Sequence, residues 1–509
     1  MSSKFSLVLK SSGFRVLQTL VGIVIGLLMM PFLIQTLGKE LYGLWIVIGS
    51  IVGTYYLLDL GFNQAVTRYV SKYIHQNNPD AANRIINTAL VIYSILGVLV
   101  FLASIVAAYF GAESLMQNSE QLTLAQTILV IVGFSIALEF PAKAFPGIIS
   151  AYMRYDYIAK IRMLKSVVDA LCIYLLVSNG YGLISMALIT LVTGLISTIL
   201  FIRFSLGLFK GMQFDQKLID LSTIKEVFHF SKWVFITDFS TMLREKMDIW
   251  FVAFYLGNIA LTVYYVAIRL VEYAIQFLMQ ATGITGPIFT ELYAKNENNK
   301  LKDAVMLFLK LDVALGLVAF SGFCILGSSF IEVWMKGAVP TNESFLCLLI
   351  LIVGRLSIYF TSPINSLLMT LKKHHVISWL SIIEIIISAL LCVLIIPVYG
   401  IYGAAVAMTV PLIVSRLITL PFLVKRYVEL ELFELLVRFS LVVVVHAVFL
   451  TFVYVEWIKG NSLDLAFIIL SAPVVIVCSL VISFFLFNRQ EIGLLKKKFT
   501  KNGFLNKVG

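Results

Sequence analysis

The chain has 509 residues, of which 60% are hydrophobic and only 13% charged, and its mean hydropathy is +0.96. That much apolar surface exceeds what a soluble core can bury and defines a polytopic membrane protein; the apolar runs are continuous rather than alternating, which excludes a β-barrel. The formal charge of +11 raises nucleic-acid binding, but the placement of the basic residues excludes it.

Each crossing needs roughly 20 mainly apolar residues. The first run, 12–36, carries Arg15 near its inner end and continues into LMMPF without a small-residue cleavage site, so it reads as a retained helix rather than a removable signal. The second, 41–62, ends with Asp59, and runs at 85–110, 122–142, 163–180 and 182–204 complete a first set of six. The longest connection, Arg203 to Lys232, follows; within it KEVFHFSKW reads as an amphipathic segment lying along the membrane interface. A second set covers 228–256, 260–289, 304–330, 344–370, 376–397 and 401–424, and two further runs cover 436–456 and 464–487. The expected fold is all-α, with about fourteen transmembrane helices.

The two sets are related in sequence. YGLISMA at Tyr181 to Ala187 returns as YGIYGAA at Tyr399 to Ala405, a shift of 218, and Leu37-Gly38 returns as Leu256-Gly257, a shift of 219. Each match is weak alone, and the shared offset carries the weight. The expected organisation is an N-lobe at 1–206, a cytoplasmic linker at 207–227, a pseudo-symmetric C-lobe at 228–424, and two extra helices with a basic tail at 425–509. Duplicated helical lobes of this kind predict a transporter working by alternating access.

Basic residues gather on one side. Arg68, Lys72 and Arg84, then Lys143, Arg154, Lys160, Arg162 and Lys165, then Lys295, Lys300 and Lys302, and the tail from Arg489 to Lys507 fall in alternate loops, whereas the opposite loops carry only Lys39, Lys336 and Lys459. The positive-inside rule then puts both termini in the cytoplasm, and the even number of runs agrees. The outer loops are short and free of histidine, which argues against a sugar polymerase or ligase, and no GxxxxGK[ST] phosphate loop is present. No catalytic residue, cofactor or metal site is expected. The five cysteines all lie in hydrophobic runs without a CxxC and read as packing residues.

A charge at mid-bilayer costs on the order of 2.5–3.5 kcal/mol even on lenient scales, so each one marks an interior surface. Helix seven is richest: REKMD holds Arg244, Glu245, Lys246 and Asp248, with Arg244 and Asp248 four apart on one face. Helix eight adds Arg269 and Glu272, three apart. Arg15, Arg244 and Arg269 are the candidate substrate contacts, because a planar guanidinium offers two parallel hydrogen bonds to an oxyanion. Asp59, Asp248 and Glu272 are candidates for an ion-coupling site or for ion pairs with those arginines. Arg416 is expected to pack or to snorkel near the inner face, and Glu139, Asp312 and Glu384 fall in a group read as structural, several of them near water at helix ends.

LGKELYGLW at Leu37 to Trp45, LLDLGF at Leu57 to Phe62 and NQAVTRYVSKY at Asn63 to Tyr73 resemble the opening of the Wzx-type polysaccharide-unit flippases of the multidrug/oligosaccharidyl-lipid/polysaccharide (MOP) exporter superfamily. Leu256 to Ala267 is similar to that superfamily in the second half. The resemblance implies transfer of undecaprenyl-pyrophosphate-linked oligosaccharide units from the cytoplasmic to the periplasmic leaflet of a bacterial inner membrane, through a cavity lined by helices one, two, seven and eight. It implies lipid-linked sugars, membrane lipids and other polysaccharide assembly proteins as partners. Alternatives are a cation-coupled multidrug exporter of the same superfamily and, from other classes, a membrane polymerase or ligase or a structural member of an assembly complex.

Overall fold

The structure is a computed structural model that describes residues 2–59, 62–111, 119–215, 218–219, 221–283, 285–428, 432–453, 465–487 and 491. The basic tail, the turn bearing Trp457 and Lys459, and the side chains of 221–237, on which the amphipathic reading falls, lie outside the described residues. All regular structure among the described residues is helical. Eight helices are long and apolar enough to cross a membrane, so the chain is a multi-pass membrane protein; that number does not confirm the expected fourteen.

Two compact units divide the chain, residues 1–262 and 263–509. The first contains α1 (Ser2–Val52), a 3₁₀ turn (Gly53–Asp59), α2 (Phe62–His75), α3 (Pro79–Val106), α4 (Ser119–Glu139), α5 (Ala144–Ala151), α6 (Tyr155–Ser178), α7 (Leu183–Leu208) and the first part of α8 (Leu221–Thr282). Helix α1 packs on α6, α3 on α4, and α7 on both α4 and α6. A core of Tyr55, Val66, Ile86, Tyr93, Phe140, Phe145 and Ile148 joins α2, α3 and α5. The start of α8 is tied here by Trp250, whose Nε1 donates to Ser50 Oγ at 2.9 Å.

The repeated Leu-Gly pairs mark equivalent breaks. Gly38 interrupts α1 with φ 84° and Gly257 interrupts α8 with φ 80°, a left-handed region that side chains with a Cβ rarely occupy. The repeat thus preserves the residue that lets two crossings be separated by a sharp turn with almost no loop.

The second unit continues with α9 (Thr285–Ala294), α10 (Asn298–Met335), α11 (Thr341–Phe360), α12 (Ser362–Thr370), α13 (His375–Ile413), a π-helical turn (Val414–Thr419), α14 (Leu420–Val424), α15 (Leu432–Val453) and α16 (Leu465–Ser483). Helix α11 packs on α10 and α13, closely enough at Gly354 that an added Cβ would lie 3.0 Å from Thr409 Cα. The last two helices pack on α10, where Val453 and Val475 meet Ile325.

Candidate functional site

A charged cavity of about 320 Å³ opens inside the first unit. It is lined by Tyr56 and Asp59 of the 3₁₀ turn, Asn63 of α2, Glu139 at the end of α4, Lys143, and Arg162 and Lys165 of α6, with Ser197 of α7 opposite. Local sequence explains the arrangement. Pro141 cannot donate a backbone hydrogen bond, so α4 stops at Glu139 and a 3₁₀ turn (Pro141–Lys143) carries Lys143 to the cavity. Asn63 fixes that turn by donating from Nδ2 to the Lys143 carbonyl at 3.2 Å. Gly194 of α7 makes room for Glu139: a Cβ there would stand 2.0 Å from Oε1 of the carboxylate.

The charges are unequally satisfied. Tyr93 donates a short hydrogen bond to Asp59, and Lys143 lies within electrostatic reach of both Asp59 and Glu139 while its Nζ sits 3.6 Å from the centre of the Phe140 ring. Lys165 is paired with Asp169 at 2.9 Å and also donates to Thr193 Oγ1 at 3.3 Å. Arg162 is exposed to the open space and has no acidic partner among the described residues. Three cations therefore face two lining carboxylates, one of the cations is uncommitted, and the site is chemically suited to hold an oxyanion. Among the described residues, no group of three or more His, Cys, Asp or Glu side chains gathers to hold a metal ion.

Of the six residues singled out in the sequence, the cavity takes in only Asp59. Arg15 is an exposed side chain on α1, Arg244 is partly buried on α8, and Asp248 is 2% exposed, its Oδ1 accepting from the amide of Ile249 at 2.9 Å. This stretch of α8 borders the 3₁₀ turn: Tyr56 donates from its hydroxyl to the Asp238 carbonyl at 3.2 Å, and Lys246 lies beside Gly53. In the second unit Arg269 and Glu272 form an ion pair of 2.9 Å, and the guanidinium also stacks over Tyr265 at 4.8 Å.

One expectation is corrected. Arg162 and Lys165 do not belong to a loop, because α6 begins at Tyr155, eight residues ahead of the predicted start at 163. The signal was present: Arg162, Lys165 and Asp169 are spaced three and four apart, which is one helical face. Of the two roles expected for Arg416, it takes packing rather than snorkelling. It is 1% exposed in the π-helical turn, 2.7 Å from Glu384. Asp312 and Glu384, read as structural, are 0% and 2% exposed.

These features define a multi-pass helical membrane transporter. Residues 33–336 match the family described as "Polysaccharide biosynthesis protein", and the chain belongs to that family. It is similar to the uncharacterized membrane protein EpsK of Bacillus subtilis (strain 168), with 22% identity over 422 residues that cover 80% of this chain and 81% of EpsK. Its fold is similar to that of the lipid II flippase MurJ in an inward closed conformation, with a TM-score of 0.72, 17% identity, and coverage of 95% of this chain and 99% of that one. It is also similar to an inward-facing multidrug resistance MATE family transporter of the MOP superfamily, with a TM-score of 0.66, 14% identity, and coverage of 80% and 94%. The fold is the one shared by MOP superfamily transporters.

Proposed function

We propose that the protein is a flippase that carries undecaprenyl-pyrophosphate-linked oligosaccharide repeat units from the cytoplasmic to the periplasmic leaflet of a bacterial inner membrane by alternating access, and is not an enzyme. Family membership supports the polysaccharide part of this reading, and the fold it shares with a lipid II flippase supports a lipid-linked cargo. The observation that carries it is the cavity of the first unit, where Arg162 offers an uncommitted guanidinium beside Lys143 and Lys165. A pyrophosphate is the one group common to such cargo whatever its sugars, and an uncommitted arginine fork beside two ammonium groups matches its charge. Arg15 and Arg244 are further contacts for the anionic headgroup; Arg269 ranks behind them because Glu272 already holds it. Functional lobes at 1–206 and 228–424, a linker at 207–227, helices and tail at 425–509, and cytoplasmic termini belong to the same proposal.

The test is transport of a fluorescent short-chain polyprenyl-pyrophosphate oligosaccharide by the purified protein in liposomes. Wild type should transport it, Arg162→Ala should lose most of the activity at unchanged thermal stability, and Arg162→Lys should recover part. Equal transport by Arg162→Ala and wild type would remove the basis of the proposal. A second reading, a cation-coupled multidrug exporter, draws on Asp59 and Glu139, the two carboxylates in the same cavity. Efflux of cationic dyes that depends on those carboxylates, without transport of the lipid-linked probe, would favour it.

A further inference from the structure

Two asparagines of α3 hold the segment that follows α7. Asn83 and Asn87 are buried and stand four residues apart, on one helical face. Asn83 donates from Nδ2 to the Gly211 carbonyl at 2.8 Å, and its Oδ1 accepts from the Gln213 amide at 3.1 Å. Asn87 repeats the pattern further along: Nδ2 donates to the Gln213 carbonyl at 2.7 Å, and Oδ1 accepts from the Asp215 amide at 3.1 Å. The second proton of Asn87 Nδ2 goes to the Asn83 carbonyl at 2.9 Å, so both of its donors are used. Four residues of helix rise about 6.0 Å and two residues of extended chain about 6.6 Å, so the two side-chain amides are spaced to bond every second residue of a strand.

This strap closes a ring of helices. Helices α3 and α7 both pack on α4 and α5. The end of α7 is held to α5 where Ser205 Oγ donates to the Phe145 carbonyl at 3.0 Å, and Phe209 just beyond it is buried in the same core as Ile86 of α3. Residues 211–215 then return to α3 through the four amide bonds. Gly211, Gln213 and Asp215 are exposed residues, and water serves such peptide groups as well; what the asparagines add is a fixed position. Both of the helices tied in this way support the charged cavity. Tyr93 of α3 bonds to Asp59 on one side, and α7 supplies Ser197, Thr198 and Phe201 on the other.

We propose that Asn83 and Asn87 are positioning residues of the charged cavity, acting through the backbone of residues 211–215. The strap fixes the spacing of α3 and α7, and with it the distance between the Asp59 side of the cavity and the α7 wall. Without it α7 is free to move away from α3 while every charged residue is still present, and a wider cavity holds an oxyanion less closely. Because the bonds are made to peptide groups, the side chain at 213 has no part in them. The inference rests on the reading of the cavity as the cargo site.

The experiment is hydrogen exchange on the full-length protein in nanodiscs, together with KM and kcat for the fluorescent short-chain polyprenyl-pyrophosphate oligosaccharide in liposomes. In wild type the amides of Gln213 and Asp215 should exchange slowly although they lie outside any helix. Asn83→Ala should release the Gln213 amide and Asn87→Ala the Asp215 amide, and each should raise KM severalfold with kcat changed less. Gln213→Pro, at an exposed position, removes the N–H that donates to Asn83 and should raise KM as well, whereas Gln213→Ala keeps the peptide group and should match wild type. Fast exchange of both amides in wild type, or released amides with an unchanged KM, would overturn the inference and leave the cargo reading standing. A wild type that does not transport the probe defeats the cargo reading, and the inference with it. Should the alanine variants fail to fold, the comparison of Gln213→Pro with Gln213→Ala decides, an equal KM for the two being fatal.

Discussion

Thr262 donates its hydroxyl proton to the Lys39 carbonyl at 2.6 Å, and beside that bond Gly43 meets the backbone of Asn258 so closely that an added Cβ would lie 2.1 Å from the Asn258 oxygen. The offset of the Leu-Gly repeat maps Lys39 onto Asn258 and Gly43 onto Thr262, so the two contacts exchange equivalent residues, as about a local two-fold axis. The two copies of the repeat are thus in physical contact at their turns. Gly43→Ala should be destabilising by about 1–3 kcal/mol, since backbone rather than a flexible side chain must move, whereas Thr262→Val should cost about 0.5–1.5 kcal/mol. Thermal unfolding in detergent measures both, and a neutral Gly43→Ala would show that the turns are not in close contact.

This contact also shows how far the sequence could be read. Continuous apolar runs and the shared offset were sufficient for the helical class and the duplication, because lipid leaves the backbone few alternatives. Asp59 was also legible, as a charge inside a hydrophobic run. Glu139, Lys143, Arg162 and Lys165 were not, because they lie at the ends of the apolar runs, where hydropathy cannot distinguish a cytoplasmic loop from a polar cavity. What gathers them is tertiary: a proline-terminated α4, a glycine on α7 and an early start to α6.

The cavity predicts a particular effect at Gly194. The atom that a new Cβ would meet is Oε1 of Glu139, the end of a flexible side chain, and the next is further along the same carboxylate. Gly194→Ala should therefore leave folding nearly intact but displace Glu139 from Lys143 and into the cavity. Transport of the lipid-linked probe should fall severalfold, with thermal stability little changed. Loss of stability on the scale of a core defect would instead indicate that the helices, not the carboxylate, had to yield.

Outside the membrane-spanning segments, Arg154 grips Asp156 with two hydrogen bonds of 2.9 and 3.0 Å at the start of α6. The guanidinium holds the carboxyl below its ordinary value near 3.8. A depressed carboxyl contributes stability that is present above its ordinary pKa and is lost as pH falls through the lowered one. Arg154→Ala should accordingly be less stable than wild type near neutrality and unfold at a higher pH in an acid titration, the difference in stability closing only as pH falls through the lowered pKa of Asp156. Because Arg154 is partly exposed, high salt should narrow the gap. Coincident acid transitions at low salt would show that the pair has no energetic role.

The ion pair of Arg416 and Glu384 is the most enclosed in the second unit, with both side chains 1% exposed. Arg416 Nη2 donates to Glu384 Oε2 and to Ser381 Oγ, each at 2.9 Å, and Ser415 donates a short hydrogen bond to the same carboxylate. The π-helical turn places Ser415 and Arg416 toward α13 together, so the carboxylate draws both of its donors from one local segment. Removing one member leaves the other charged and buried, which costs about 3–5 kcal/mol, whereas replacing both with apolar residues of similar volume is often neutral or favourable. Arg416→Met and Glu384→Leu should each be strongly destabilising, and the double variant should recover much of the loss in thermal unfolding. Additive losses would mean that the two side chains act independently, and that the pair does not set the packing of the π-helical turn on α13.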